Sequence, residues 1–273
     1  MNILIFNNIA RKGLDLFKPL YNVSNDLQKP LGILLRSHNL INDEVCGSVL
    51  GIARCGSGVN NIPIQDMTNR GIVVFNTPGA NANSVKELTL NSLLLASRGI
   101  CQGINYVKNT DNPDIENIKK QYKGNEIYGK TLGIIGLGNI GRKVGDAAHS
   151  LGMNILGYDP HLSLDEVWKI PGNKIHKVSY LDEVLSRTDY LTLHVPFIKG
   201  ETENMINKTN MDLLKKNVNI INMSRNGLIN EKELLKRYES KELIGTYITD
   251  FYNKIFTNCP NVLSMPHLGA STH

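Results

Sequence analysis

An α/β fold built on two doubly wound parallel sheets is what this sequence predicts, and three observations predict it. Short β-branched apolar runs alternate with helical patterns from end to end, the order that places helices on both faces of parallel sheets. A polar, loop-rich stretch at residues 109–130, NTDNPDIENIKKQYKGNEIYGK, interrupts that alternation and marks a change of domain. After it comes a strand, a glycine-rich turn GLGNIG at 136–141, and a helix.

The elements follow in order. Runs at Ile3–Phe6, Gly32–Leu35, Leu50–Ala53 and Ile72–Phe75 read as strands. A long helix is expected from Ser84, with Glu87 three residues on as a capping pair, to Arg98. A strand is expected at Thr131–Ile135, a helix to Leu151 ended by Gly152, and a second strand reaching Tyr158 and Asp159. The chain is divided into residues 1–92 and 93–273, two domains of ordinary size.

Composition removes several classes of function. With 41% hydrophobic and 20% charged residues, the 273-residue chain is that of a globular protein. The net charge of +5 is scattered and forms no basic run, so neither a nucleic-acid nor a membrane partner is expected. Cys46, Cys55, Cys101 and Cys259 lie far apart with no CxxC spacing, which argues for free thiols in a reducing cytoplasm and against a disulfide frame or a metal site. The opening MNILIF reads as a buried strand without a basic flank, not a signal peptide, and no apolar stretch is long enough to cross a bilayer.

The glycine turn carries the strongest chemical signal. Gly136 permits the tight turn, Gly138 lets the backbone approach a pyrophosphate, and Gly141 lets helix and strand pack closely. The helix start offers unpaired N–H groups and a positive dipole end to the phosphates. Asp159, 18 residues past Gly141 at a strand end, can bond ribose hydroxyls and would repel a 2′-phosphate, which favours NAD over NADP.

Ligands of open parallel sheets bind beyond the carboxyl ends of the strands. Those ends carry His194 and Pro196, then Ser224 and Arg225, then Asp250, then His267. In the first domain they carry Arg36, Arg54 and Asn76. A cleft between the domains is expected, with cofactor on one side and an anion on the other. Arg36, Arg54 and Arg225 would suit a substrate bearing a carboxylate and a phosphate. His194 reads as a packed core histidine, Asp250 equally as a turn cap, and His38, His149, His161, His176 and His273 as surface or loop residues.

RCGSGVNNIP, VFNTPGANANSVKELTL, GKTLGIIGLGNIGRKV, GYDP, INMSRNG and MPHLGAST, in that order, resemble the D-2-hydroxyacid dehydrogenases over essentially the whole chain. The resemblance implies an oxidoreductase with a flavodoxin-like substrate-binding domain and a Rossmann NAD-binding domain, the latter including the interdomain helix and the histidine loop. It implies a small anionic 2-hydroxy or 2-oxo acid as substrate and a homodimer formed through the nucleotide domain. His267 matches the acid/base histidine, and Arg225 the arginine holding substrate carboxylate and carbonyl. Ser57, Asn139, Ile140, Asp159, Val195, Met223, Ser224, Arg225, Asp250, His267, Gly269 and Ala270 match cofactor-contacting positions, beside Gly136, Gly138, Gly141, His194 and Pro196 from the strand-end reading. Arg36, Arg54, Gly56, Ser57, Asn76 and Arg225 are the substrate-binding set.

Three departures accompany the resemblance. No glutamate follows Asp250 before His267, where the family keeps the histidine's partner; Lys254 lies near that place, and Asp250 is the nearest alternative carboxylate. A histidine without such a partner is expected to be less basic and less fixed. Asn226 replaces a glycine after Arg225, and the family's return helix beyond the histidine is missing from this sequence. The same fold serves as an NAD-sensing protein-binding module in the related C-terminal-binding corepressors, which is the alternative to catalysis.

Overall fold

The computed structural model describes residues 1–111, 114–162 and 174–272, so His273 lies outside the described residues. The chain forms two compact units, Met1–Asn81 and Ala82–His273.

The first unit holds strands β1 (Asn2–Phe6), β2 (Asn22–Ser24), β3 (Gly32–Leu35), β4 (Gly51–Arg54) and β5 (Val73–Phe75). They pair in parallel in the order β2-β1-β3-β4-β5. Alternate side chains serve one core: Ile33, Leu35 and Ile52 are buried there with Met67 of helix α2 (Ile64–Asn69), and Leu4, Phe6 and Val74 pack against them. A four-residue helix, α1 (Arg11–Leu14), links β1 to β2. The edge strand β2 was not expected, because NVS carries only one large apolar residue.

The second unit opens with helices α3 (Ala82–Ser97), α4 (Ile100–Lys108) and α5 (Ile115–Ile118). Then come β6 (Thr131–Ile135), α6 (Asn139–Ser150), β7 (Asn154–Tyr158), β8 (His176–Lys177), α7 (Leu181–Arg187), β9 (Tyr190–Leu193), β10 (Asn219–Asn222), α8 (Glu231–Glu239), β11 (Tyr247–Thr249) and β12 (Val262–Ser264). Among the described residues seven parallel strands run β12-β11-β10-β9-β6-β7-β8. Neighbouring residues feed opposite cores: Ile220 and Tyr247 point to one face, Ile221 and Ile248 to the other. Burial on both faces is why these strands read as continuous apolar runs.

The division falls at Asn81–Ala82 rather than at 92/93. The reason is α3: it is one continuous helix, and its buried Val85 and Leu93 join the core formed by Leu132, Ile134 and Ile221. Residue 92/93 lies inside it. Other expected bounds hold within two residues. The chain winds outward from β6 through β7 and β8, then returns to place β9 beside β6. That reversal puts a crevice beyond the carboxyl ends of β6 and β9.

Candidate cofactor and catalytic site

The crevice is built by the glycine turn. Gly136 has φ +93, and a Cβ there would stand 2.6 Å from the His194 carbonyl oxygen. A Cβ on Gly141 would stand 1.9 Å from the Gly136 carbonyl oxygen. Gly138 differs: nothing lies within 4 Å of where its Cβ would be. The first and third glycines are needed by the protein's own packing, whereas the space beside the second is left open. Gly138 also N-caps α6 without a side-chain acceptor, so the helix start keeps donors for an anion. Asn139 is exposed and Ile140 half-buried on that first turn.

Asp159 sits at the end of β7 and already binds the loop. Its carboxylate accepts the Leu137 N–H at 2.8 Å through Oδ2 and the His161 N–H at 3.0 Å through Oδ1. A carboxylate has about four acceptor sites, so it can take ribose hydroxyls in addition. What these bonds show is that Asp159 holds the turn. Open space at Gly138, an uncapped helix start and a carboxylate at the next strand end are a donor set that fits NAD.

His194 enters by its backbone, which abuts Gly136. Its Nε2 lies 3.1 Å from Thr192 Oγ1, and its Nδ1 is buried with no hydrogen-bond partner among the described residues. Burial pushes the imidazole down to about 3, so it is neutral at physiological pH and packs much as a core histidine does. The Val195 carbonyl accepts the Ser224 hydroxyl, and Thr202 Oγ1 donates to the Pro196 carbonyl at 2.7 Å.

Asn222, buried at the last position of β10, was not anticipated and organises the next turn. Its Oδ1 accepts the Ser224 N–H at 3.1 Å, and its Nδ2 donates to the Arg225 carbonyl at 2.8 Å. Its own carbonyl accepts the Asp250 N–H at 3.1 Å. Met223 and Ser224 are buried, and Arg225 is half-buried with Nη1 donating to the Ser224 carbonyl at 2.7 Å. Burial lowers the guanidinium's pKa from its usual value, a shift that leaves it charged.

The buried Asp250 carboxylate accepts the Leu268 N–H at 2.7 Å and the Gly269 N–H at 2.8 Å. The sequence offered Asp250 as the alternative partner of His267, but the structure spends both carboxylate oxygens on the loop backbone. His267 is exposed, holds φ +58, and leans on Phe251 with ring centroids 5.2 Å apart. Among the described residues no carboxylate forms an ion pair with its ring. Ala270 is half-buried at the end of this loop.

In the first unit, Arg36, Arg54, Gly56, Ser57 and Asn76 collect at the ends of β3, β4 and β5. Arg54 Nε donates to the Arg36 carbonyl at 3.0 Å, and its guanidinium lies against Gly56, where a Cβ would be 1.8 Å away. Asn76 Nδ2 donates to the Ser57 carbonyl at 2.7 Å, and Ser57 Oγ to Asn81 at 3.0 Å. Asn7, with φ +67 beside this edge, accepts the Ser37 N–H at 3.0 Å and was not anticipated. Among the other histidines, His38 departs from the surface reading: it stacks on Phe6 at 4.3 Å and binds Glu44.

Residues 90–269 match the family described as D-isomer specific 2-hydroxyacid dehydrogenase, NAD binding domain. The chain is 39% identical over 226 residues to a D-3-phosphoglycerate dehydrogenase of Methanocaldococcus jannaschii, covering 81% of this chain and 41% of that one. It is 33% identical to one of Bacillus subtilis, covering 93% and 48%. The chain thus spans about half the length of the curated relatives it matches. A solved NAD+-bound 3-phosphoglycerate dehydrogenase of Entamoeba histolytica superposes with a TM-score of 0.78 at 26% identity, over all of this chain and 89% of that one. A glyoxylate reductase from Paecilomyes thermophila superposes at 0.82 and 24%, a likeness of fold, covering 100% and 89%. With the glycine turn, the strand-end carboxylate and this match in agreement, the chain belongs to the D-isomer specific 2-hydroxyacid dehydrogenases and carries their NAD-binding domain.

Proposed function

We propose that this protein is a phosphoglycerate dehydrogenase, oxidising D-3-phosphoglycerate at C2 to 3-phosphohydroxypyruvate in a reversible reaction, the entry to serine biosynthesis. The observation that carries the reading is the chain of hydrogen bonds Arg225–Asn222–Asp250–His267, which fixes an arginine after β10 and a histidine after β12, on either side of β11 and its Asp250 in one sheet. NAD, when bound, supplies the hydride acceptor. Gly138, the α6 amides and Asp159 hold it, with Val195, Pro196, Met223, Ser224, Gly269 and Ala270 forming the neighbouring strand-end edge. Arg225 engages the substrate carboxylate and stabilises negative charge on the C2 oxygen. His267 takes the C2 hydroxyl proton during oxidation and returns it during reduction, help worth roughly 10²–10⁴-fold.

The phosphorylated substrate rests on two supports. The relatives named above are phosphoglycerate dehydrogenases, and the first unit brings Arg36 and Arg54 to one edge. Another acid of the class, such as glyoxylate, hydroxypyruvate or D-lactate, needs no second anion. A homodimer formed by the second unit is supported by α4, whose Ile100, Ile104 and Val107 are exposed. Four free cysteines suit a reducing cytoplasm. No described helix is long and apolar enough to cross a membrane.

A second reading, an NAD-binding protein-interaction module without turnover, is favoured by one observation: the His267 ring has no carboxylate partner among the described residues. The deciding experiment is NADH oxidation with 3-phosphohydroxypyruvate. Turnover that disappears in His267→Ala supports the enzyme. NADH binding with no turnover on any 2-oxo acid supports the module, and faster turnover of an unphosphorylated acid reassigns the substrate.

A further inference from the structure

A cavity of about 490 Å³ opens in the second unit at the amino ends of β6, β9, β10 and β11, the sheet edge opposite the glycine turn. Its size is that of small-molecule sites. One wall is the end of α3 with the segment 121–125, drawn together at Gly124, where a Cβ would stand 2.1 Å from the Ser97 carbonyl oxygen. The Asn125 N–H bonds that same carbonyl at 2.9 Å, so the last acceptor of α3 is already used. Another part of the lining is Gly245, where a Cβ would meet the Val218 carbonyl oxygen at 1.8 Å. Ser97 and Tyr190, whose hydroxyls lie 2.9 Å apart and buried, are also lining residues.

The charge lining this space is unbalanced. Arg98, Lys123 and Lys130 line it, and among the described residues its one carboxylate is Asp189. Asp189 is already engaged: Oδ1 takes Lys215 Nζ at 2.8 Å and Oδ2 takes the Thr131 N–H at 2.9 Å. Asn219, another lining residue, spends its Oδ1 on the Thr246 N–H at 2.9 Å, so what its amide has left to offer is the NH₂ donor. Cations and amide donors around a concave space, with the local carboxylate neutralised by a fourth cation, are what an anion requires.

We propose that this cavity is a second ligand site, distinct from the nucleotide crevice, that takes a small phosphate- or pyrophosphate-bearing anion. The test is calorimetric titration of inorganic pyrophosphate into the NADH-saturated protein at about 50 mM salt, where screening is weak. Saturable binding is expected, roughly tenfold weaker in each of Lys123→Gln and Lys130→Gln. Asn217→Asp, which adds a carboxylate to the lining while keeping every cation, should weaken it similarly, with NADH affinity unchanged in all three. A parallel titration of an organic phosphomonoester separates sources: tighter binding than inorganic phosphate assigns a metabolite, equal binding an inorganic ion, and either upholds the site. No binding at millimolar pyrophosphate, binding that survives the double lysine variant, or displacement by NADH would overturn it. So would loss of self-association in the lysine variants without any pyrophosphate binding, which would make the cavity an interface between copies.

Discussion

Asp250 grips His267 by the backbone and leaves its ring alone. The Asp250 carbonyl accepts the His267 N–H at 3.2 Å, and its carboxylate accepts the next two N–H groups, at Leu268 and Gly269. A non-glycine residue at φ +58 is strained by about 1–3 kcal/mol, and these bonds hold it there.

Asp250→Asn should therefore act through position. The amide keeps one acceptor and turns a donor toward the other N–H, at a cost of about 1–3 kcal/mol. Turnover should fall roughly tenfold to a hundredfold, and the Gly269 amide should exchange its proton faster. Unchanged amide exchange with full activity would remove Asp250 from this role.

The two outer glycines and the middle one should respond differently to the same methyl group. Gly141→Ala drives a Cβ into the Gly136 carbonyl and should lower the melting temperature by several degrees. Gly138→Ala meets only open space, so the fold should melt as before while NADH binding weakens. Equal melting losses in both variants would contradict the assignment.

Asp159 has two tasks that substitution can separate. Asp159→Asn retains an acceptor for the Leu137 N–H but turns a donor toward the His161 N–H and loses the charge, so NADPH should gain on NADH at a stability cost of about 1–3 kcal/mol. Asp159→Ala loses the turn's anchor as well and should weaken both cofactors. Fluorescence titration with each nucleotide reads the ratio, and an Asn variant still refusing NADPH would count against the charge argument.

Stability should decline in mild acid because of His194. Its folded value of about 3 lies below the ~6.5 of an unfolded histidine, so below about pH 6.5 the unfolded chain binds a proton that the folded chain refuses. The stability contributed is complete above about 6.5 and is lost as pH falls toward 3, at up to about 1.4 kcal/mol per unit. Urea unfolding near pH 7 and near pH 5 should show the slope, and His194→Gln should flatten it. An equal slope in the variant would assign the loss to other groups.

The strands and the nucleotide turn were legible because burial on two faces forces uninterrupted apolar runs, and because Gly136 and Gly141 each answer a specific steric demand. Ile134, Ile220 and Ile248 announce themselves in this way. Buried polar organisers were not legible. Asn222 sits in an apolar run, VNIINMS, beside a second asparagine, Asn219, and nothing in the run tells which of the two holds the following turn and reaches the end of β11. Glu231 looks like an ordinary acidic residue at a helix start, yet it is buried and accepts Tyr247 OH at 2.9 Å and Asn253 Nδ2 at 2.6 Å. Asp250 was found as a residue, with a turn cap among its expected uses, but sequence does not show which N–H groups a carboxylate meets, here those of Leu268 and Gly269.

The pairing of β6 with β9, Leu132 against Tyr190, sets an order of events during synthesis. β6 and α6 emerge early, but the strand that completes their sheet edge arrives more than fifty residues later. At about 5–20 residues per second, the growing chain spends several seconds with one edge of β6 unpaired. An open apolar strand edge recruits other chains, so this is the interval in which a nascent chain most needs a chaperone. Slowing translation between β7 and β9 should lower the yield of native protein more than slowing it anywhere after β10.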